Sequence, residues 1–488
     1  MRRHLLVLLI LTVLVRGWLM ISYPLSVADD NQAAQTYLID QLLHGNLLIG
    51  NLRYQTGYPF VIAPVVALAK PFGRFDDRIV LLVQVALSAT IPFMVYDLVR
   101  RRRTPPDPRA EREAFVVALF VLLDLFGLQW AHFWLPEWWI AFCMIFGLWL
   151  IEHGLRHRRT LLWVAAAGVV FGFAALARLN FAPLVALVGV LLFLRHALTW
   201  RKRLLIFATL GVTSAAVLLL YLILIQQPST GTWKWSCISG INLLEGTNDK
   251  GLTVRAENGA ASAEYLDLKT RQSSHEIFFL SDTYPRWQQP VPWAGAAELD
   301  DFRNNRVTNG FPMSDTNLIY FLGACPADEL MQRVFFETVR AEPLRYFAGT
   351  LSVAAKIVLQ QTTTDKHDYL PTPTQLSPSA GTSSVLGFQR MEGGGYTGEW
   401  LWLPGIELFS ALFAVWQWLK WLTPLALVWA LLKRDWFYGT IALLMIVGAL
   451  LTAAVEAPET RIYSWMYPLA PILIGGMVAE LLRRLERR

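Results

Sequence analysis

Two adjacent carboxylates, Asp29 and Asp30, open the polar stretch ADDNQAAQTYLIDQLLHGNLLIG that follows the first apolar run of the chain. A carboxylate pair at a membrane boundary can act as a general base or hold a divalent cation. Asp at a helix start also satisfies free backbone N–H groups and suits the helix dipole. The spacing of Tyr37, Leu38, Leu42 and Leu43 is helical. Capping accounts well for one Asp and less well for the second, and on these residues alone it is the simpler reading. Glu137, in AHFWLPEWW, is a second acidic candidate. After Pro136 it can be an ordinary first-turn Glu, yet a carboxylate this near hydrocarbon is costly unless paired or hydrated. Asp124, within the apolar run 114–132, is costlier still and is expected to face the bundle interior.

Cations accompany these acids. The stretch EAPETRIYSWMYPLAP carries Glu456, Glu459 and Arg461. Arginine binds phosphate through a planar fork of donors, while a local Arg–Glu pair is the simpler alternative. Arg178, in ALARLNFAP, departs from the charge pattern of the other inter-span arginines. Arg178, Lys356 and Arg461 together would place positive charge on the face that carries Asp29, Asp30 and Glu137. Acids for chemistry and cations for an anionic lipid head group make a coherent set. His153 and His157 have i, i+4 spacing but lie in an Arg-rich turn without the Glu of a zinc helix. No hydrolase elbow is present.

The elements that must position these residues are membrane spans. Of the 488 residues, 55% are hydrophobic and only 16% charged, against about 25% charged in soluble domains. The 20 tryptophans fit a chain with two membrane interfaces. The net charge of +6 comes from arginines in short loops between apolar runs, where they set topology rather than bind nucleic acid. The N-terminal MRRHLLVLLILTVLV resembles a signal peptide, with Ser26-Val27-Ala28 as a possible cleavage site, but Arg16 follows the run and apolar character resumes to Ile21. An uncleaved first span is the expectation.

A span takes about 20 apolar residues. Candidates are 5–22, 79–99, 114–132, 137–153, 161–177, 181–198, 204–225, the Pro-interrupted 404–432, 437–455 and 464–482. Ten spans with both termini in the cytoplasm put every basic cluster inside: Arg100 to Arg103 with Arg109 and Arg112, then Arg156, Arg158 and Arg159, then Arg201, Lys202 and Arg203, then Lys433 with Arg434, and the Arg-rich tail. If 58–71 also spanned, the Arg100 cluster would face outward. It is therefore expected as an interfacial helix of the first external loop, 23–78. The stretch 346–361 is treated likewise, with Lys356 snorkelling to the head groups; a full span there is the alternative. The expected fold is an all-α polytopic membrane protein of about ten transmembrane helices. Its regions are an N-terminal transmembrane module (1–225), an external region (226–403) and C-terminal helices (404–488). The segment 362–403, rich in Thr, Ser, Pro and Gly, reads as a mobile loop rather than a folded module. Cys237 and Cys325 both fall in the external region, where a disulfide is compatible with an oxidising compartment.

The order of these features resembles the integral-membrane glycosyltransferases of the GT-C class, which include protein O-mannosyltransferases, aminoarabinose transferases and oligosaccharyltransferases. The resemblance covers nearly the whole chain with loose motifs. It rests on Asp29 and Asp30 after span one, then Tyr37 and Gly45, then the Pro-containing GYPFVIAPV at 57–65 with Tyr58. Further matches are Glu137 before span four, ALARLN with Arg178, GINLLEGTN at 240–248 with Asn242, and ETRIYSWMYPLAP with Glu459 and Arg461. The second acid of the pair is often Glu in the class and the Tyr often lies closer, so either Asp29 or Asp30 can be the base.

The resemblance implies a membrane glycosyltransferase. A polyprenyl-phosphate-linked sugar would have its phosphate at Arg461, with Lys356 or Arg178. Asp29 or Asp30 would deprotonate a glycan, lipid or protein acceptor, and transfer would invert the anomeric centre. Tyr37, Tyr58, Asn242 and Glu459 would line the sugar and acceptor pocket. Some members use a divalent metal, for which Asp29, Asp30 and Glu137 are the available ligands; no other cofactor is implied. The expected location is the cytoplasmic membrane, with the site on its outer face. The alternatives are a flippase or transporter of lipid-linked sugars, a polysaccharide polymerase or ligase, and a scaffold. Transporters often show internal repeats, and none is evident in the sequence.

Overall fold

The structure is a computed structural model. It describes residues 2–22, 25–26, 38–39, 41–48, 57–69, 77–102, 108–124, 127–128, 131, 136–195, 198–237, 239–273, 324–359, 388–390, 395–398, 408, 411–412, 414–416, 418–433, 435–455 and 466–486. The N-terminal region contains α1 (Arg2–Ser22), β1 (Leu25–Ser26), α2 (Gly57–Ala69), α3 (Asp77–Ser88), α4 (Ile91–Arg101), α5 (Pro108–Leu122), α6 (Glu137–Gly154), α7 (Thr160–Ala177), α8 (Ala182–Phe193) and α9 (Trp200–Tyr221). A π turn (Leu222–Gln226) and one α turn (Gln227–Thr230) extend α9. The middle region contains α10 (Ser239–Asp249), α11 (Ala260–Ser273), α12 (Ala324–Ala341), α13 (Pro343–Val358), β2 (Phe388–Arg390) and β3 (Gly395–Gly398). The chain closes with α14 (Thr423–Leu432), α15 (Trp436–Val455) and α16 (Leu469–Leu485).

Five described helices are long and apolar enough to cross a membrane: Arg2–Met20, Leu82–Arg101, Thr160–Ala177, Trp200–Thr230 and Trp436–Val455. A helical membrane protein is therefore the architecture, with fewer long spans among the described residues than the ten expected. Local chemistry shapes the spans that differ from expectation. The span expected as 79–99 is present as Leu82–Arg101 but is interrupted where two helices meet at Ala89-Thr90. Pro92 sits in the first turn of α4, where its missing N–H costs nothing. The hydroxyls of Ser88 and Thr90 donate to the carbonyls of Val85 and Leu87, which closes off the helix before it. The segment expected as 114–132 ends its helix at Leu122, so Asp124 lies past the helix end, and it is buried as expected. Its carbonyl accepts the Leu128 N–H. Its side chain lies over Gly127, where a Cβ would come within 2.7 Å of Asp124 Oδ2.

Small residues let the helices approach. Gly168 and Gly172 of α7 lie against Thr213 and Val217 of α9, and Gly147 of α6 lies against the Phe171 ring. Such contacts are the usual device where no hydrophobic force drives helices together in lipid. One end of the bundle is ionic. Asp97 accepts from Arg100, Arg101 and the Trp149 indole. Arg102 pairs with Glu113 at 2.7 Å and Asp435 at 3.2 Å. Arg195 pairs with Glu152, and Lys433 with Glu480. His4 stacks on Phe115. Both described chain ends and residues of four sequence-predicted clusters, through Arg102, Arg156, Lys433 and Arg483, thus meet at this end. The other end carries α10 to α12.

Those three helices form a module with its own core of Ile241, Leu244, Ala261, Tyr265, Leu330, Met331 and Val334. Its helix starts are capped at long range. Asp328 accepts the Gly240 N–H at 2.5 Å, and burial pushes its carboxyl above the ordinary carboxylate range. Glu337 accepts the Ala261 and Ser262 N–H groups at 3.1 and 2.7 Å. Burial opposes its ionisation, but these hydrogen bonds prevail and hold its carboxyl below the usual value. Cys237 and Cys325 are disulfide-bonded across 88 residues of sequence. Replacing both by Ser should destabilise the module by about 4–5 kcal/mol, the loop-closure entropy of a ring this size. Limited proteolysis over a thermal ramp should then cut within α10–α12 at lower temperature while the bundle fragments persist.

The segment 362–403 also departs from expectation. β2 and β3 pair antiparallel, with Phe388 opposite Gly398 and Arg390 opposite Tyr396. β3 pairs in turn with β1, Leu25 opposite Tyr396 and Ser26 opposite Gly395. Backbone pairing does not require an apolar sequence, so composition alone did not reveal it. The strand immediately after the first helix is thereby joined to residues 395–396.

Candidate functional site

Glu137 is the first residue of α6, and no part of it is exposed. It is the ordinary first-turn position the sequence allowed, but its partner comes from 41 residues away. α7 ends where Arg178 turns extended, at φ −152° and ψ 118°. That geometry sends the Arg178 side chain toward α6, where Nη2 donates to Glu137 Oε1 at 2.5 Å. The arginine that departed from the charge pattern is thus explained by a buried carboxylate. Glu137 Oε2 is buried and accepts no hydrogen bond, and the indole N–H of Trp139 is buried without an acceptor. A buried polar atom left unsatisfied costs about 1–3 kcal/mol, so these atoms are poised for a polar ligand or water.

Tyr58 lies beside Glu137 and Trp138. It is wholly buried, and its hydroxyl donates to Gln84 Oε1. Gln84 Nε2 donates in turn to the Ala131 carbonyl at 3.3 Å. The neighbouring Gly57 explains why α2 can come so close. A Cβ there would meet the Leu176 carbonyl carbon at 2.5 Å and Ala177 N at 2.6 Å, so only glycine lets α2 cross the end of α7 next to Arg178. The GYPF segment is thereby a packing device as well as a source of Tyr58.

Beneath this pair lies a cavity of about 40 Å³, lined in part by Arg16, Ser88, Asp124, Ala131 and Trp138. Arg16 is 7% exposed, with Nε and Nη1 unpartnered. The volume is enough for a few waters, which would hydrate the guanidinium near Asp124. The sequence signal for Arg16 was an arginine late in an apolar run.

A cation that sequence reasoning missed is Lys250, at the end of the GINLLEGTNDK stretch. It is 3% exposed. Nζ donates to the Ala454 carbonyl at 3.3 Å and lies 5.4 Å from the centre of the Tyr346 ring. Tyr346 donates to the same carbonyl at 2.8 Å. Gly349 of α13 packs on the Lys250 backbone, where a Cβ would meet its carbonyl oxygen at 2.4 Å. Lys250 thus clamps α10 and α13 to the end of α15. Its contact with Ala454 was not legible in the sequence, because 204 residues separate the two. Burial lowers its ammonium to about 8.

The folded state therefore binds fewer protons at Lys250 than the unfolded chain between pH 8 and about 10.4. Stability should rise with pH through that window, and below pH 8 the cost of burying the charge is fully present. Lys250→Met carries no charge to bury, so its stability relative to the wild type should be greatest at pH 7. That relative stability should fall by pH 10, as read from thermal unfolding in detergent at the two pH values.

Asp29, Asp30, Tyr37, Glu459 and Arg461 lie outside the described residues. Glu137, Arg178 and Tyr58 are brought together. Lys356 is exposed in the last turn of α13, and Asn242 is half-buried on α10; no described contact joins either to the Glu137 site. Among the described residues, no three His, Cys, Asp or Glu side chains converge on a metal-sized position.

No protein-family model matches the chain, and no curated protein matches it in sequence. Among solved structures, the chain is similar to the archaeal oligosaccharyltransferase AglB from Archaeoglobus fulgidus, in complex with an inhibitory peptide and a dolichol-phosphate. The match has 15% identity and a TM-score of 0.45, and covers 99% of this chain and 51% of that one. This chain therefore spans about half the length of that structure's chain. It is also similar to ArnT from Cupriavidus metallidurans bound to undecaprenyl phosphate, at 12% identity and a TM-score of 0.35, over 98% of this chain and 78% of that one. The apo form of ArnT matches at 13% identity with the same TM-score.

Proposed function

We propose that the chain is a membrane glycosyltransferase that moves a sugar from a polyprenyl-phosphate donor to an acceptor at the bundle end opposite the chain termini. The observation that carries the reading is the buried Glu137–Arg178 pair, with Glu137 Oε2 and the Trp139 indole N–H making no hydrogen bond. In this reading the fold crosses the cytoplasmic membrane about ten times. The shorter and interrupted helices complete the five long ones, and both termini and the Arg clusters are cytoplasmic.

Asp29 or Asp30 takes the proton from an acceptor hydroxyl or amine. The freed electron pair attacks the anomeric carbon from the face opposite the lipid, the carbon–oxygen bond to the phosphate breaks, and the configuration inverts. The departing phosphate carries developing negative charge, which Arg461 and Lys356 stabilise from the rim. Arg178 fixes Glu137, whose second oxygen accepts from the sugar or acceptor beside Tyr58. Asn242 and Glu459 complete the acceptor side. If a divalent metal takes part, Asp29, Asp30 and Glu137 are the oxygen ligands, and its contribution is charge neutralisation at the leaving phosphate.

The test is incubation of the purified protein with radiolabelled polyprenyl-phosphate sugars and cell-envelope extract. Label should move from the lipid to a water-soluble or envelope-bound acceptor. Label that crosses a proteoliposome membrane while staying on the lipid would instead identify a flippase.

A further inference from the structure

At the ionic end of the bundle, α1, α5 and α16 enclose a cavity of about 220 Å³ whose lining includes His4, Arg109, Arg112 and Arg483. We infer that this cavity binds the phosphodiester head group of an anionic phospholipid from the leaflet at that end. Positive charge alone would be the ordinary mark of membrane topology; here it lines a concavity whose acids are already engaged. Glu113 is held by Arg102 at 2.7 Å and by the Tyr438 hydroxyl at 2.8 Å. Glu480 is held by Lys433, Arg483 and Arg484. Glu486 meets Arg112 at 3.4 Å, with the two side chains 64% and 70% exposed. A pair so exposed is worth little, and Arg112 can exchange it for a phosphate fork at small cost.

Two further nitrogens of lining residues, His4 Nδ1 and Arg483 Nε, are buried and make no hydrogen bond. The flanks suit the rest of the lipid. Leu6, Leu9 and Val13 form one exposed stripe on α1, and Leu482 and Leu485 are exposed on α16. Acyl chains can lie on these stripes while the head group sits at the cavity mouth. Basic pockets between transmembrane helices are a known setting for anionic head groups.

The experiment is native mass spectrometry of the purified full-length protein with phosphatidylglycerol or phosphatidylcholine of the same chains. The wild type should retain phosphatidylglycerol at least about tenfold more strongly, and each arginine removed should weaken that preference about fivefold. Arg109→Gln with Arg112→Gln should therefore nearly abolish it. Arg158→Gln with Arg159→Gln removes the same charge from exposed positions outside the cavity and should leave it unchanged. Equal loss in both double variants, or no preference in the wild type, would overturn the inference. So would full displacement by millimolar inorganic phosphate, which would mean a site for a free anion. If the Arg109/Arg112 variant does not fold, Arg112→Gln alone, at its exposed position, should still show the single fivefold loss.

Discussion

Asp29→Asn combined with Asp30→Asn is expected to lower sugar transfer by about 10³-fold or more, at unchanged expression and membrane insertion. Each substitution keeps the shape of the side chain and removes only its charge and basicity. Loss of a general base costs about 10² to 10⁴ in rate, and removal of a metal-ligating or transition-state charge adds to that. Capping offers a contrast, because Asn caps a helix about as well as Asp. A capping role therefore predicts near-normal transfer in the double variant, and a catalytic role predicts almost none. The single variants assign the base, since the one that loses most of the rate carries the proton. Full activity in the double variant, measured in membranes with labelled donor, would remove both residues from the mechanism.

The second large effect concerns Glu137 and Arg178. Arg178→Met should destabilise the bundle by about 3–5 kcal/mol, because it strands a fully buried carboxylate. Glu137→Leu should cost less, because the Arg178 side chain is 17% exposed where Glu137 is wholly buried. The double replacement Glu137→Leu, Arg178→Met should return close to wild-type stability, since a buried ion pair can be exchanged for apolar groups of like volume with little net change. Thermal unfolding of the four proteins gives the coupling directly. Transfer should stay lost in the stable double variant if Glu137 Oε2 contacts sugar or acceptor. A stable double variant that still transfers sugar would make the pair a structural brace only.

Much of this arrangement was legible from local pattern. Glu137 was marked by its position among Trp134, Trp138 and Trp139, and Arg178 by its departure from the charge pattern. Four of the arginine clusters contribute residues to one end because topology is encoded in short loops, which a sequence shows directly. The illegible parts share a cause: they depend on residues far apart in sequence. The 2.5 Å contact between Glu137 and Arg178 requires α7 to end in an extended residue. Lys250 became notable only once Ala454 and Tyr346 closed around it. Asp124 was taken as part of a continuous span because hydropathy does not register a helix that stops at Leu122. Arg16 looked like a flank of an apolar run until α1 packed it against the Asp124 cavity.

The pairing of β1 with β3 has a consequence for synthesis. Leu25 leaves the ribosome some 370 residues before its partner Tyr396. At about 5–20 residues per second, the chain just before Asp29 and Asp30 waits roughly 20–75 s for the strand that sets its register. A nascent chain released short of residue 395 has α1 but lacks the strand that pairs with Leu25 and Ser26. The β1–β3 pairing thus marks a chain whose synthesis has passed β3.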